Sequence, residues 1–119
     1  MDYSTAIDAL AALAQPTRLA VFRRLIQAHP DEIAAGEIAR DCDVRHNTLS
    51  THLAILARAG LLAVRRDGRM MFYRADLDSF RALVGFLMRD CCNCRAEICA
   101  PLMAELACCA PANPETIRG

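Results

Sequence analysis

Lysine is missing from this sequence of 119 residues, so all 14 basic side chains are arginine, set against 14 acidic ones. No apolar run is long enough to span a bilayer, and Met1-Asp2-Tyr3-Ser4 has none of the basic character of an export signal; both point to a cytoplasmic chain with no membrane contact. Histidine stops early, because His29, His46 and His52 all precede residue 60. No internal repeat or second domain is visible. No phosphate-type anion loop precedes a reactive cysteine and no motif positions a general acid, which argues against an enzyme. What is present is ample apolar content, 55% of residues, enough for one real core and against disorder.

Charge is balanced overall but not along the chain. Residues 1–39, 40–74 and 75–119 carry −2, +4 and −2, so the middle third is the basic one. A neutral chain of this kind offers one positive face to phosphates while its acidic thirds limit unspecific attachment.

Apolar spacing predicts mostly helix. Ala6, Ile7, Leu10 and Leu13 mark a first helix starting from Ser4 or Thr5 as cap, and Pro16 suits the first turn of a second that carries Leu19, Phe22, Leu25 and Ile26. After the His29-Pro30-Asp31 break, a short helix around Ala35–Arg40 leads through Cys42 and Val44 to a turn near Asp43–Asn47. From Asn47 to Arg58, Leu49, Leu53 and Leu56 fall on one inward face. Asn47, Ser50, Thr51 and Arg58 project outward, with Thr48 and His52 on the flanks. That is a helix that packs on one side and reads bases on the other.

Gly60 suits a left-handed helix end, and Leu61–Arg66 and Met70–Arg74 make two short strands around Asp67-Gly68. This hairpin is a wing whose Arg65, Arg66, Arg69 and Arg74 grip phosphates, Arg69 alternatively entering a minor groove. Arg45 and His46, just before the reading helix, either touch phosphates or stay solvated, and His52 either touches a phosphate or closes the edge of its helix's apolar face. The fold class is therefore mainly α with a small β-hairpin wing (α+β), a winged helix-turn-helix.

A long last helix begins near Asp76 or Asp78, and Leu77, Phe80, Leu83, Val84, Phe86, Leu87 and Met88 give it more apolar surface than one protomer needs. The surplus predicts a homodimer through the first and last helices, with two reading helices one DNA turn, about 34 Å, apart on a palindromic double-stranded operator. Pro101 ends or kinks this helix, and Pro111 and Pro114 mark a disordered end. The expected organisation is a DNA-binding and dimerisation domain over 1–100 and a cysteine-containing tail, partly disordered, over 101–119.

Six of the seven cysteines, Cys91, Cys92, Cys94, Cys99, Cys108 and Cys109, crowd into residues 91–109. In a reducing compartment such a cluster is a metal or redox site rather than a set of lasting disulfides. With no histidine nearby, the donor set is all thiolate, which selects soft or borderline ions. Cys91-x-x-Cys94 alone fits zinc and redox sites equally. Cys42, outside the cluster, reads as a small core hydrophobe, and Met70, Met71 and Met88 as packing residues.

With Glu37-Ile38-Ala39, the run Ser50-Thr51-His52-Leu53-x-x-Leu56-x-x-Ala59-Gly60-Leu61-Leu62, the arginine-bearing hairpin and the terminal helix, residues 5 to about 90 resemble the ArsR/SmtB family of winged-helix metal-responsive repressors. The resemblance implies a homodimer that represses until an inducer binds. It departs at Ala34-Ala35-Gly36-Glu37, which has no cysteine where many arsenic or cadmium sensors carry a Cys-Val-Cys box. Arg81-Ala82-Leu83-Val84 through Asp90-Cys91-Cys92 and Cys99 is instead similar to arsenite-responsive members with vicinal cysteines. Carried over by position, Cys91, Cys92 and Cys99 are the thiolate ligands of As(III), with Cys94 a weaker candidate. Trivalent arsenic takes three thiolates, and Cys92 and Cys99 in one continuous helix would stand about 10 Å apart in rise, so a loop-like site is expected.

The function so implied is a DNA-binding transcriptional repressor, not an enzyme, released from its operator by arsenite, with antimonite or methylarsenite as related inducers. The alternatives are a thiol redox sensor, or a zinc, cadmium or lead sensor, of the same fold. The DNA-contacting set is Arg45, His46, Asn47, Thr48, Ser50, Thr51, His52, Arg65, Arg66 and Arg69.

Overall fold

The computed structural model describes residues 1–92 together with Glu97, Ala100, Pro101, Ala104 and Glu105; for residues 89–92 only the backbone is described. Among the described residues are five helices, α1 (Tyr3–Leu13), α2 (Pro16–Ala28), α3 (Ala35–Cys42), α4 (His46–Arg58) and α5 (Leu77–Cys92), and three strands, β1 (Ile33–Ala34), β2 (Leu62–Asp67) and β3 (Met70–Ala75). Met1–Leu83 forms one compact unit and Val84–Gly119 a second. The mainly helical winged architecture expected from the sequence is present, with one addition. β1 pairs antiparallel with β3, Ile33 opposite Tyr73, so the hairpin becomes a sheet in the order β1-β3-β2.

Helix starts follow local chemistry. α1 begins earlier than Ser4 or Thr5 would give, because Asp2 is the cap: its Oδ1 accepts the Thr5 N–H at 2.7 Å, a bond that holds the exposed Asp2 carboxyl below its ordinary pKa. Pro16 opens α2, capped by Gln15 Oε1 accepting from Arg18 N–H at 2.8 Å. Asp76 Oδ1 accepts the Ser79 N–H at 3.1 Å and starts α5.

In the first unit the core is built from Val21, Phe22 and Leu25 of α2, Ile38 of α3, Leu49, Leu53 and Leu56 of α4, and Leu61, Leu62, Ala75 and Leu83. Phe22 stacks at a tilt on Phe80, with ring centroids 5.4 Å apart. α1 contributes only its alanines, Ala6, Ala9 and Ala12; the larger Ile7 and Leu10, which marked it as a helix, are 56% and 40% exposed, and Leu19 of α2 is 44% exposed. In the second unit, Val84 to Met88 of α5 are half-buried, while Glu97, Ala100, Pro101, Ala104 and Glu105 are exposed.

Two corners fix α4. At the first, Asp43 takes the left-handed conformation (φ 53°), with Val44 N–H donating to the Ala39 carbonyl at 3.0 Å and Asp43 N–H to that of Arg40 at 3.3 Å. At the second, Gly60 takes φ 83°, with Leu61 N–H donating to Leu56 at 3.1 Å and Gly60 N–H to Ala57 at 3.0 Å. Both are the paired closure of a Schellman turn; Asp tolerates the left-handed region better than most residues, and glycine occupies it freely.

Candidate nucleic-acid interface

α4 divides its residues as its periodicity requires. Leu49, Leu53 and Leu56 are at most 1% exposed, whereas His46, Asn47, Thr48, Ser50 and Thr51 are exposed along the opposite side of the first turns. Ser50 Oγ donates to the His46 carbonyl at 3.1 Å, which leaves its lone pairs to accept from a partner. Arg45 occupies the cap position of α4 and is exposed, so a cation stands at the mouth of the turn.

His52 is drawn elsewhere. The half-buried ring lies with Nδ1 3.2 Å from Arg18 Nη1, while Arg18 Nε donates to the Ala12 carbonyl at 2.6 Å. A guanidinium only donates, so Nδ1 accepts and the proton of the neutral ring sits on Nε2. One arginine thereby ties the end of α1 to the reading helix.

In the hairpin, Asp67 pairs with Met70 and the two-residue loop is Gly68-Arg69, positive in φ (63°) only at Gly68, the pattern of a type II′ turn. The exposed Arg66 donates through Nε to the Gly68 carbonyl at 3.3 Å, and Arg69 is exposed at the tip. Arg65 is differently placed. Its Nε reaches Glu32 Oε1 at 2.8 Å and Oε2 at 3.1 Å, its Nη1 lies 4.0 Å from Asp67 Oδ2, and its guanidinium carbon stands 4.5 Å over the Phe72 ring. It arrives with its charge compensated by acids and its planar face on an aromatic.

The wing tip faces the start of the helix pair across a cavity of about 290 Å³, whose lining includes Glu37, Arg40, His46, Arg69 and Met70. Sequence reasoning included His46 and Arg69 but missed Arg40, whose helical position in a short segment gave no pattern to distinguish it. It also missed Glu32 and Arg18, which act through partners 33 and 34 residues away.

Of the expected thiolate ligands, Cys91 and Cys92 fall among the described residues. Cys91 and Cys92 end α5 on helical backbone, so the loop-like geometry expected there is not seen at these two residues. Cys94, Cys99, Cys108 and Cys109, and the expected disordered end beyond Pro111, lie outside the described residues. Among the described residues no group of three His, Cys, Asp or Glu side chains is placed to hold a metal. Cys42 is half-buried rather than sealed in the core, and burial, with the Asp41 carboxylate adding to it, raises its thiol pKa above the ordinary value. Among the described residues, no helix is long and apolar enough to cross a membrane.

Comparison with known proteins agrees with this geometry. A helix-turn-helix domain model matches residues 13–65. The chain is 35% identical over 92 residues to a biofilm growth-associated repressor of Agrobacterium fabrum, covering 77% of this chain and 70% of that protein. It resembles the homodimeric winged helix-turn-helix DNA-binding domain Mb0332 of Mycobacterium bovis, a possible ArsR-family transcriptional regulator, at TM-score 0.59 and 29% identity over 68% of this chain and 73% of that one. It also resembles a possible transcriptional regulator for arsenical resistance, at TM-score 0.57 and 32% identity over 68% of this chain and 84% of that one. These relatives are a repressor and two possible transcriptional regulators, and none of the three is an enzyme by name.

Proposed function

Because the chain belongs to the winged helix-turn-helix transcriptional regulators of the ArsR family, we propose that it is a homodimeric repressor whose operator is vacated when trivalent arsenic binds Cys91, Cys92 and Cys99. The observation that carries the DNA half is the partition of α4: three leucines sealed inward and a polar edge of Asn47, Thr48, Ser50 and Thr51 turned outward beside Arg45. Side chains of this kind hydrogen-bond base edges and phosphates in a major groove. The exposed Tyr3, Ile7 and Leu10 on one side of α1 support pairing with a second copy, in keeping with the homodimeric Mycobacterium bovis domain.

The inducer half rests on donor chemistry. Six cysteines within residues 91–109 and no histidine after residue 60 suit an ion that takes thiolates alone, and one relative is itself a possible regulator of arsenical resistance. Thiolate binding at the end of α5 displaces the dimer helix. The link from the Ala12 carbonyl through Arg18 to His52 then carries a change at α1 to the reading helix. A coupling of about 1–3 kcal/mol lowers operator affinity roughly 5–150-fold, and bound DNA weakens arsenic binding by the same factor.

The test is fluorescence anisotropy on the chain's own upstream promoter under reducing conditions, titrating arsenite, antimonite, methylarsenite, zinc, cadmium and lead, with a peroxide arm. Arsenite is expected to release the DNA, and Cys91→Ser and Cys92→Ser to bind the promoter normally yet resist release. If saturating trivalent arsenic and antimony leave the promoter bound, the inducer assignment is lost; release by peroxide without any metal, reversed by reductant, assigns the cysteines to redox sensing instead.

A further inference from the structure

From the groove between the wing tip and α3 we infer that Arg40, Arg69 and His46 form a seat for a backbone phosphate of duplex DNA, clamping the wing to the helix pair when DNA is bound. The three side chains come from three elements, α3, the hairpin loop and the start of α4, and line one cavity of about 290 Å³. The Arg40 and Arg69 side chains are exposed and, among the described residues, make no side-chain hydrogen bond or ion pair.

The acids nearest to them are engaged elsewhere. Glu37, which also lines the groove, lies with Oε2 3.9 Å from Arg24 Nη2, and Asp67, before the loop, lies 4.0 Å from Arg65. Arg24 is further held by Asp41 at 3.0 Å. The groove thus gathers two unpaired guanidinium groups and His46 against one carboxylate, Glu37, whereas Arg65, on the same hairpin, is paired with acids in place.

A phosphodiester fits this chemistry. It is singly charged, presents two acceptor oxygens to converging guanidinium donors, and recurs at a fixed distance from any major groove that α4 could enter. Apolar Met70 and Met71 and the small Ala34 and Ala35 complete the walls, and a phosphodiester seated between them presents no base edge. Its contribution to binding is therefore independent of sequence.

The inference rests on the DNA-binding reading, and salt dependence separates the two. Affinity of the full reduced chain is measured by anisotropy between 50 and 200 mM salt, on the upstream promoter and on an unrelated duplex of equal length. Each phosphate contact contributes about 0.9 to the slope of log affinity against log salt.

Arg40→Ala and Arg69→Ala are each expected to flatten that slope, by up to about 0.9 when the shared phosphate is lost altogether, so that raising the salt costs up to roughly 3- to 4-fold less affinity than in the parent chain. Both duplexes weaken by the same factor in each variant. Arg40→Lys keeps the slope, and Arg81→Ala, outside the groove, leaves it unchanged. Far-UV circular dichroism and Tm confirm that the variants fold. An unchanged slope in a folded Arg40→Ala, or a loss confined to the promoter, overturns the phosphate seat while the DNA-binding reading stands. A parent chain that binds neither duplex overturns both.

Discussion

Arg65 and Arg69 sit four residues apart on one hairpin and use their charge in opposite ways. Arg65 is folded back on Glu32 and Phe72, tying its strand to the residue before β1, while the Arg69 side chain stands at the loop with no ion pair among the described residues. Counting arginines along the basic middle third therefore overstates the charge available to DNA. What matters is which of them the fold has already neutralised, and β1, invisible as a pattern of only two residues, decides that by following directly on Glu32.

The largest effect that bears on this contrast is loss of the support both arginines share. Leu53→Ala empties a site that is 1% exposed at the centre of α4, and is expected to cost about 2–5 kcal/mol in denaturant unfolding. Operator binding should fall only in proportion to the unfolded fraction. A stable variant that still loses the promoter would mean that the inward face is part of the reading surface.

Next comes the loop itself. Gly68→Ala forces a side chain into φ 63° at a cost of about 1–2 kcal/mol, seen as a lower Tm. Arg69 should lose its placement and DNA affinity should drop beyond what stability explains, with the Arg65–Glu32 pair intact. Equal affinity in a folded variant would show that the loop geometry does not matter to binding.

A smaller and more pointed change is Glu32→Gln. It leaves Arg65 without its nearest counter-charge, and the salt slope on any duplex should steepen by up to about 0.9 as Arg65 joins the phosphate-facing set. Stability should change by less than about 1 kcal/mol, as expected for an exposed ion pair. No change in slope would place Arg65 out of reach of DNA whatever its charge.

The smallest effect concerns Cys42. Burial raises its pKa, so at pH 8 the thiolate fraction is lower than in the unfolded chain, and iodoacetamide should modify the Cys42 peptide more slowly in native than in denatured protein by mass spectrometry. Equal rates would remove the thiol from the half-buried position given to it.

The reading face was legible because its signal is local: leucines at 49, 53 and 56 fix which way a helix faces regardless of its neighbours. The hairpin was legible for the same reason, through a glycine at a turn. The first helix was legible as a helix but not in orientation, since Ile7 and Leu10 drew attention to the face that the first unit leaves open, and the alanines do the internal packing. Partnerships across more than 30 residues, Arg18 with His52 and Arg65 with Glu32, have no spacing to announce them. The groove that gathers Arg40, His46 and Arg69 exists only once three elements meet, so Arg40 stayed unnoticed beside two residues already singled out.

The matched corners at Asp43 and Gly60 carry one last consequence. The pair at Asp43 closes the end of α3 and the pair at Gly60 closes the end of α4, so each of these two helices is locked at its C-terminal end and is easier to swing than to unravel. A helix closed in this way moves as one body, by tilting or sliding, and carries its exposed polar edge with it without refolding.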